Sequence, residues 1–114
     1  MQNRIFGIMD NGENVYLIKL FSNELSVNIL TFGAILQNMH FKQRSVVLGY
    51  NELQPYIKNK FYYGAVIGRF ANRLKNGHAK LSHGTIQADI NTDTGHHIHG
   101  GSKGSCYKNW QILE

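Results

Sequence analysis

Short segments in which apolar and polar residues alternate are the feature that most restricts how this chain can fold. In residues 25–31, Leu25, Val27 and Ile29 alternate with polar residues, which is the period of a strand with one buried face. Residues 34–41 and 45–48 have the same strand-like character. No window longer than about ten residues combines helical periodicity with capping residues. The sequence therefore predicts a mainly β fold.

Two segments have the pattern of β-hairpins. Asn11-Gly12 lies between the apolar segments 4–9 and 15–21, and an Asn-Gly pair supplies the positive φ angles of a tight turn. Residues 77–81 and 85–88 form a second candidate. We expect antiparallel pairing in both, with strands spaced like those of a sandwich or barrel.

The size and composition of the chain indicate one folded domain over residues 1–114. A chain of 114 residues can bury roughly 65% of its unfolded surface, which is enough for a single core. Hydrophobic residues make up 42% and charged residues 17%, so the chain is not a disordered tail. The only proline lies in residues 51–59, where we expect a loop with one helical turn at 52–56.

The charge and the single cysteine restrict partners and compartment. The formal charge is +5, but no two basic residues are adjacent, which favours a solvated basic face over a nucleic-acid surface. Cys106 cannot form an internal disulfide and no Asn-x-Ser/Thr sequon occurs, which favours a reducing, intracellular setting. With no signal-like apolar segment and no run of 18 apolar residues, we expect a cytoplasmic protein with no membrane partner.

The histidine-rich segment 95–101, Gly-His-His-Ile-His-Gly-Gly, is the first candidate for chemistry. On a strand, His97 and His99 would point to one face and His96 to the other. Such a pair could bind a metal, satisfy backbone groups in a glycine turn, or bind a polar ligand that the glycines allow to approach. A metal site needs a further ligand, and no acidic residue follows His99 before Glu114. The structural and ligand-binding interpretations both stay open.

The segment GRFANRLKNG at residues 68–77 is the second candidate. Arg69 and Arg73 are four residues apart, so a helical turn would place both on one face with Phe70 and Leu74 towards the core. A guanidinium also presents a rigid fork of donors suited to two neighbouring oxygens, and Asn72 adds a donor and an acceptor. Alone, the segment favours the amphipathic turn; polar ligand binding is the alternative.

Together the two segments resemble the aldose 1-epimerase (galactose mutarotase) family. The motifs that carry the resemblance follow one another in the family's order: GAVIGRFANR at 64–73, Asn76-Gly77, Ile-His-Gly-Gly at 98–101, Gly104 and Trp110. Similarities upstream, such as Val-Val-Leu-Gly-Tyr at 46–50, extend the resemblance from about residue 12 to Trp110. Several motifs in register are more specific than any of them alone.

This resemblance implies both a fold and a reaction. The fold would be the antiparallel β-sandwich of the family, the galactose mutarotase-like supersandwich, incomplete at the C-terminus in this chain. The enzymes interconvert the α and β anomers of free hexoses such as galactose and glucose by acid/base ring opening, without a cofactor. A monosaccharide is therefore the expected partner, and neither a metal nor a nucleic acid is expected.

The resemblance also assigns roles to particular residues. Asn72 and Arg73 match positions that bind sugar hydroxyls, and His99 matches the substrate-binding histidine of the His-Gly-Gly motif. The acid histidine and base glutamate of the family are expected beyond Glu114, so we assign no catalytic residue here and expect the 114-residue chain alone to be inactive. The alternative is a non-catalytic sugar-binding β-sandwich on the same scaffold.

Overall fold

A computed structural model describes residues 2–58 and 61–113 of the chain. The chain divides into two compact units, of which unit 1 comprises Met1–Val66 with Lys108–Glu114 and unit 2 comprises Ile67–Tyr107. All strand pairs in both units are antiparallel, so the predicted mainly β, antiparallel fold is confirmed. Within the described residues, no helix has the length and apolarity needed to span a membrane.

Unit 1 contains a five-stranded sheet and one short helix. The strands pair in sequential order, each with the next along the chain. The elements are β1 (Gln2–Ile8), β2 (Asn14–Ser22), β3 (Leu25–Leu30), β4 (Leu36–Phe41), β5 (Arg44–Ser45) and α1 (Gln54–Lys58). Their core is formed by side chains at most 5% exposed, namely Val15, Leu17, Leu30, Phe32, Ile35, Leu53 and Tyr56.

The turn between β1 and β2 is a three-residue hairpin loop. Gly12 N–H donates to Met9 O and Met9 N–H donates to Glu13 O, both at 2.9 Å. Of the Asn-Gly pair only Gly12 has a positive φ, +85°. The predicted hairpin is confirmed, but the expectation of positive φ at Asn11 is wrong. A single left-handed residue closes the turn because a three-residue loop requires it only at its last position.

Strand β5 is shorter than the sequence predicts. It ends at Ser45, and the side chains of Val46 and Leu48 are 55% and 73% exposed. Ser45 Oγ donates to Val47 O at 3.2 Å. Val46 N–H still donates to Met39 O at 2.9 Å, but residues 46–48 do not form part of a strand. The prediction of a strand through 45–48 is therefore wrong beyond Ser45.

Helix α1 places Tyr56 in the core of unit 1. The predicted helical turn is present, two residues later than expected. Tyr56 Oη accepts a bond from Tyr50 N–H at 2.7 Å and donates to Tyr50 O at 3.3 Å. Burial raises the pKa of the Tyr56 phenol above its ordinary value, so the group stays neutral. One hydroxyl thus bonds to both backbone groups of Tyr50, and the carbonyl also accepts a bond from Gln37 Nε2 at 2.9 Å.

Unit 2 is built from two small sheets. Strands β6 (Arg73–Leu74) and β9 (His97–Ile98) pair with each other, as do β7 (His78–Leu81) and β8 (Gly84–Gln87). The second predicted hairpin is thus confirmed. Short 3-10 turns occupy Lys75–Gly77 and Ser105–Tyr107, and the Cys106 thiol is fully buried.

The amphipathic turn considered for residues 69–74 is absent. Asn72 has φ +58°, and Arg73 and Leu74 are extended and paired with β9. A left-handed residue cannot continue a right-handed helical turn. Arg69 and Arg73 consequently do not share a helix face, and the structural interpretation of this segment is wrong.

Two glycine backbones approach each other closely in unit 2. Gly68 O accepts a bond from Ser105 N–H at 3.1 Å, and a Cβ on Gly100 would collide with the same carbonyl oxygen. A Cβ on Gly104 would lie 3.1 Å from it. Glycine is needed here for space as well as for conformation, since Gly100 has φ +86°. This contact brings the segments GRFANR and HIHGG together.

Replacing Tyr56 by Phe is expected to lower the free energy of unfolding by about 1–2 kcal/mol, because the Tyr50 N–H loses its partner. Tyr63→Phe is the matched control, since the Tyr63 ring stacks on Phe61 with centroids 5.6 Å apart and the change removes only a hydroxyl. It should cost less than about 0.5 kcal/mol. Urea denaturation of both variants measures the difference, and equal losses would contradict the role given to Tyr56.

Replacing Gly100 by Ala is expected to cost at least about 3 kcal/mol, because it adds a backbone collision to the strain of a positive φ. Gly95→Ala is the matched control: Gly95 has φ +76°, yet its Cβ would have no atom within 4 Å. It should cost about 1 kcal/mol, from backbone strain alone. Urea denaturation followed by amide signals of unit 2 compares them. A Gly100 variant as stable as the Gly95 variant would show that the close approach is not needed.

Candidate functional site

Asn72 and His99 are joined by a reciprocal pair of hydrogen bonds. Asn72 N–H donates to His99 Nδ1, and His99 N–H donates to Asn72 O, both at 3.1 Å. These bonds continue the short ladder in which Arg73 pairs with Ile98. Two residues 27 positions apart in the sequence, both predicted to bind a sugar, thus lie side by side at the end of the β6–β9 pair.

The hydrogen bond to Nδ1 determines the tautomer of His99. A neutral imidazole has one protonated nitrogen and one acceptor nitrogen. Because Nδ1 accepts the Asn72 N–H, the proton lies on Nε2. The ring edge opposite Asn72 therefore carries a hydrogen-bond donor suited to an oxygen atom.

Both residues have backbone conformations that side chains rarely adopt. The φ angles are +58° at Asn72 and +53° at His99, and the left-handed turn continues through Gly100 and Gly101 at +86° and +78°. Asn and His tolerate this region better than most residues, but such conformations still cost free energy and are concentrated at functional sites. The reciprocal bonds and the glycine contact hold this turn in place.

Arg73 extends the group towards solvent. It is an exposed residue of β6, and its Nη1 donates to Asn72 Oδ1 at 3.4 Å. The guanidinium fork has further donors, and two neighbouring hydroxyl oxygens match their spacing. Arg69 is also exposed but makes no side-chain hydrogen bond to this group among the described residues.

The three histidines of the segment have three different environments. His97 is 2% exposed, with Nδ1 2.9 Å from Asp89 O and 3.2 Å from Asp89 Oδ1, while His96 Nδ1 accepts a bond from Asn76 N–H at 3.2 Å. His99 leaves the strand alternation because of its left-handed backbone. The expectation that His97 and His99 share a face is therefore wrong.

His97 is a buried structural residue of unit 2. Its ring packs edge-on against Phe70, with centroids 6.0 Å apart. Its Nε2 atom is buried without a hydrogen-bond partner among the described residues. Within 2–58 and 61–113, no three or more His, Cys, Asp or Glu side chains are grouped so as to hold a metal ion.

Two residues that hold the histidine-rich segment in place, Asn91 and Asp89, were not identified from the sequence. Asn91 Oδ1 accepts from Ile98 N–H at 2.7 Å and Asn91 Nδ2 donates to Ile98 O at 2.9 Å. Asp89 Oδ2 accepts from both the N–H and the Oγ–H of Ser102 at 2.8 Å. The sequence indicates their role only weakly: Asp89 and Asn91 are short polar residues two positions apart, so they share a face in an extended segment.

The bonds from Ser102 stabilise the ionised form of Asp89. They are the main reason that the pKa of this carboxyl lies below its ordinary value, and the nearby His97 acts in the same direction. Asp89 is about half exposed, so solvent screens these interactions. The carboxylate is charged at neutral pH and accepts bonds without needing to be protonated.

Comparison with known proteins identifies the family of the chain. The family model described as aldose 1-epimerase matches residues 16–114. The galactose mutarotase of Homo sapiens is 35% identical over 106 residues, which cover 88% of this chain and 31% of that protein. The bifunctional protein gal10 of Schizosaccharomyces pombe is 34% identical over 99 residues, covering 86% of this chain and 14% of that protein.

Solved structures agree with this result. Galactose 1-epimerase from Lactobacillus acidophilus superposes with a TM-score of 0.80 at 27% identity, covering 96% of this chain and 32% of that one. A GalM/aldose epimerase homologue from C. elegans gives 0.76, also at 27% identity, over 86% of this chain and 32% of its own. The fold is therefore part of an antiparallel β-sandwich, and the chain spans about a third of the length of these two structures. The chain belongs to the aldose 1-epimerase family.

Proposed function

We propose that this chain supplies the sugar-binding part of an aldose 1-epimerase that interconverts the α and β anomers of free hexoses such as galactose or glucose. The observation that carries the proposal is the reciprocal Asn72–His99 pair with Arg73 beside it. All three residues lie within the segment that matches the family model. The relatives named galactose mutarotase support a hexose as the substrate.

Each of the three side chains suits a sugar oxygen. His99 Nε2–H donates to a hydroxyl or to the ring oxygen, and Arg73 spans two neighbouring hydroxyls with its fork of donors. The Asn72 amide both donates and accepts, as a hydroxyl does. Exposure of Asn72 and Arg73 allows a ligand to reach them.

The reaction itself requires a general acid and a general base. The base removes the proton of the anomeric hydroxyl while the acid protonates the ring oxygen; the ring opens to an aldehyde, rotates about its terminal bond and recloses. In unit 1, Glu24 pairs with Lys42 at 3.5 Å and Glu13 accepts a bond from Asn109 at 3.3 Å. We propose that the acid histidine and base glutamate belong to family segments outside residues 1–114.

Arg73→Ala is expected to weaken galactose binding about tenfold or more, because hydrogen bonds from a charged donor are lost. Arg69→Ala is the matched control: it removes an exposed arginine of the same segment and the same charge, and should change affinity by less than about twofold. Titration calorimetry with galactose measures both variants. Equal losses would indicate a nonspecific charge effect and contradict the role of Arg73.

The 114-residue chain is expected to accelerate mutarotation little, because each missing proton transfer contributes about 10²–10⁴ in rate. Polarimetry on freshly dissolved α-galactose checks this, with human galactose mutarotase as the active control. A rate near that of the control, from chain of verified length, would show that the acid and base lie within residues 1–114.

The alternative is a non-catalytic sugar-binding protein on the same scaffold. Asn72, Arg73 and His99 would serve binding equally well in that case, so their geometry does not distinguish the two functions. Saturable galactose binding without mutarotation by a protein of full family length would favour the alternative and contradict the epimerase proposal.

A further inference from the structure

The turn that carries His99 is held at both of its ends by side chains of one preceding segment. It consists of three consecutive left-handed residues, His99, Gly100 and Gly101. A left-handed backbone costs free energy at His99, although glycine adopts it readily. Bonds from residues 89–92 hold the turn, together with the Asn72–His99 bonds described above. Within the turn, Gly101 N–H donates to Ile98 O at 3.0 Å.

The leading end is fixed by Asn91. Its amide makes two bonds with the backbone of Ile98, at 2.7 and 2.9 Å, as a paired strand residue would. Thr92 Oγ1 adds two bonds to the backbone N–H and O of His96, at 2.9 and 3.0 Å. Residues 96–98 are thus held just before the turn begins.

The trailing end is fixed by Asp89. Its Oδ2 atom accepts two bonds from Ser102, the residue that follows the turn, and its Oδ1 atom lies 3.2 Å from His97 Nδ1. A Cβ on Gly101 would collide with Oδ1, so the carboxylate lies directly against the turn. One carboxylate therefore contacts the residues on both sides of His99 and Gly100.

We propose that Asp89 is a positioning residue of the sugar site: its carboxylate fixes the His99–Gly101 turn and thereby the direction in which the His99 ring donates to the sugar. This inference rests on the proposed function of His99. Asp89 need not touch the sugar, because it acts through Ser102 and His97. The low pKa of Asp89 agrees with a carboxylate that is charged whenever the site works at neutral pH.

A positioning role differs from a merely structural one in what it changes. A structural residue lowers stability but leaves the folded molecules with a normal site. A positioning residue alters the His99 ring even in molecules that remain folded, since the Asn72 N–H to Nδ1 bond needs the turn in its present place. The ¹⁵N shifts of the His99 imidazole report that bond directly, without any sugar.

The test compares Asp89→Ala and Asp89→Asn with Asp93→Asn, which removes an exposed carboxylate from the same loop. Long-range ¹H–¹⁵N spectra of the labelled 114-residue chain give the tautomer of His99, with His99→Gln to assign its signals. Galactose titrations give the affinity, and thermal unfolding confirms that each variant is folded. We expect Asp89→Ala to populate both tautomers of His99 and to weaken galactose binding about tenfold. Asp89→Asn should have the same two effects to a smaller degree. Asp93→Asn should change neither the tautomer nor the affinity.

The outcomes separate this inference from the proposed function. If the Asp89→Ala variant folds and its His99 imidazole ¹⁵N shifts are unchanged, the positioning role of Asp89 is overturned, whatever the galactose affinity. If the unaltered chain binds no galactose, the proposed function fails, and the shifts alone decide whether Asp89 positions His99. If Asp89→Ala does not fold, Asp89→Asn and Ser102→Ala decide: altered His99 shifts support the inference and unaltered shifts overturn it.

Discussion

The close approach of two glycine backbones is the constraint on which the functional part of the molecule depends. Gly68 and Gly100 come so near that a Cβ on Gly100 would collide with the Gly68 carbonyl oxygen, and Gly100 has φ +86°. Because they meet, the arginine-rich and histidine-rich segments lie side by side, and Asn72 can exchange two bonds with His99. The absence of a side chain at Gly100 is therefore what allows residues far apart in the sequence to come together.

Much of the fold could be predicted because local patterns determine it. Alternation over residues 25–31 and the Asn-Gly pair specify strands and a hairpin almost independently of the rest of the chain. The prediction of a strand failed at 46–48, although Val46 N–H still donates to Met39 O of the neighbouring strand. The period of apolar residues indicates which segments favour a sheet, but not where an edge strand stops.

The site was only partly predictable for a related reason. The family resemblance indicated Asn72, Arg73 and His99, and the structure brings them together, but their left-handed backbones and the separation of His97 from His99 could not be read from spacing. Asn91 could not be identified because its partners are backbone atoms of Ile98, and Asp89 bonds the backbone N–H of Ser102 as well as its hydroxyl. Contacts to backbone leave no residue-type signature on the partner side.

The buried His97 ring lowers the stability of unit 2 through one atom and contributes a polar contact through another. Its Nε2 atom is buried without a hydrogen bond among the described residues, and an unsatisfied interior nitrogen costs the desolvation of that group. An apolar ring of similar size would avoid this cost, yet it would give up the contact with Asp89. The ring at this position therefore combines a desolvation cost with a polar contact to Asp89 that an apolar replacement would lose.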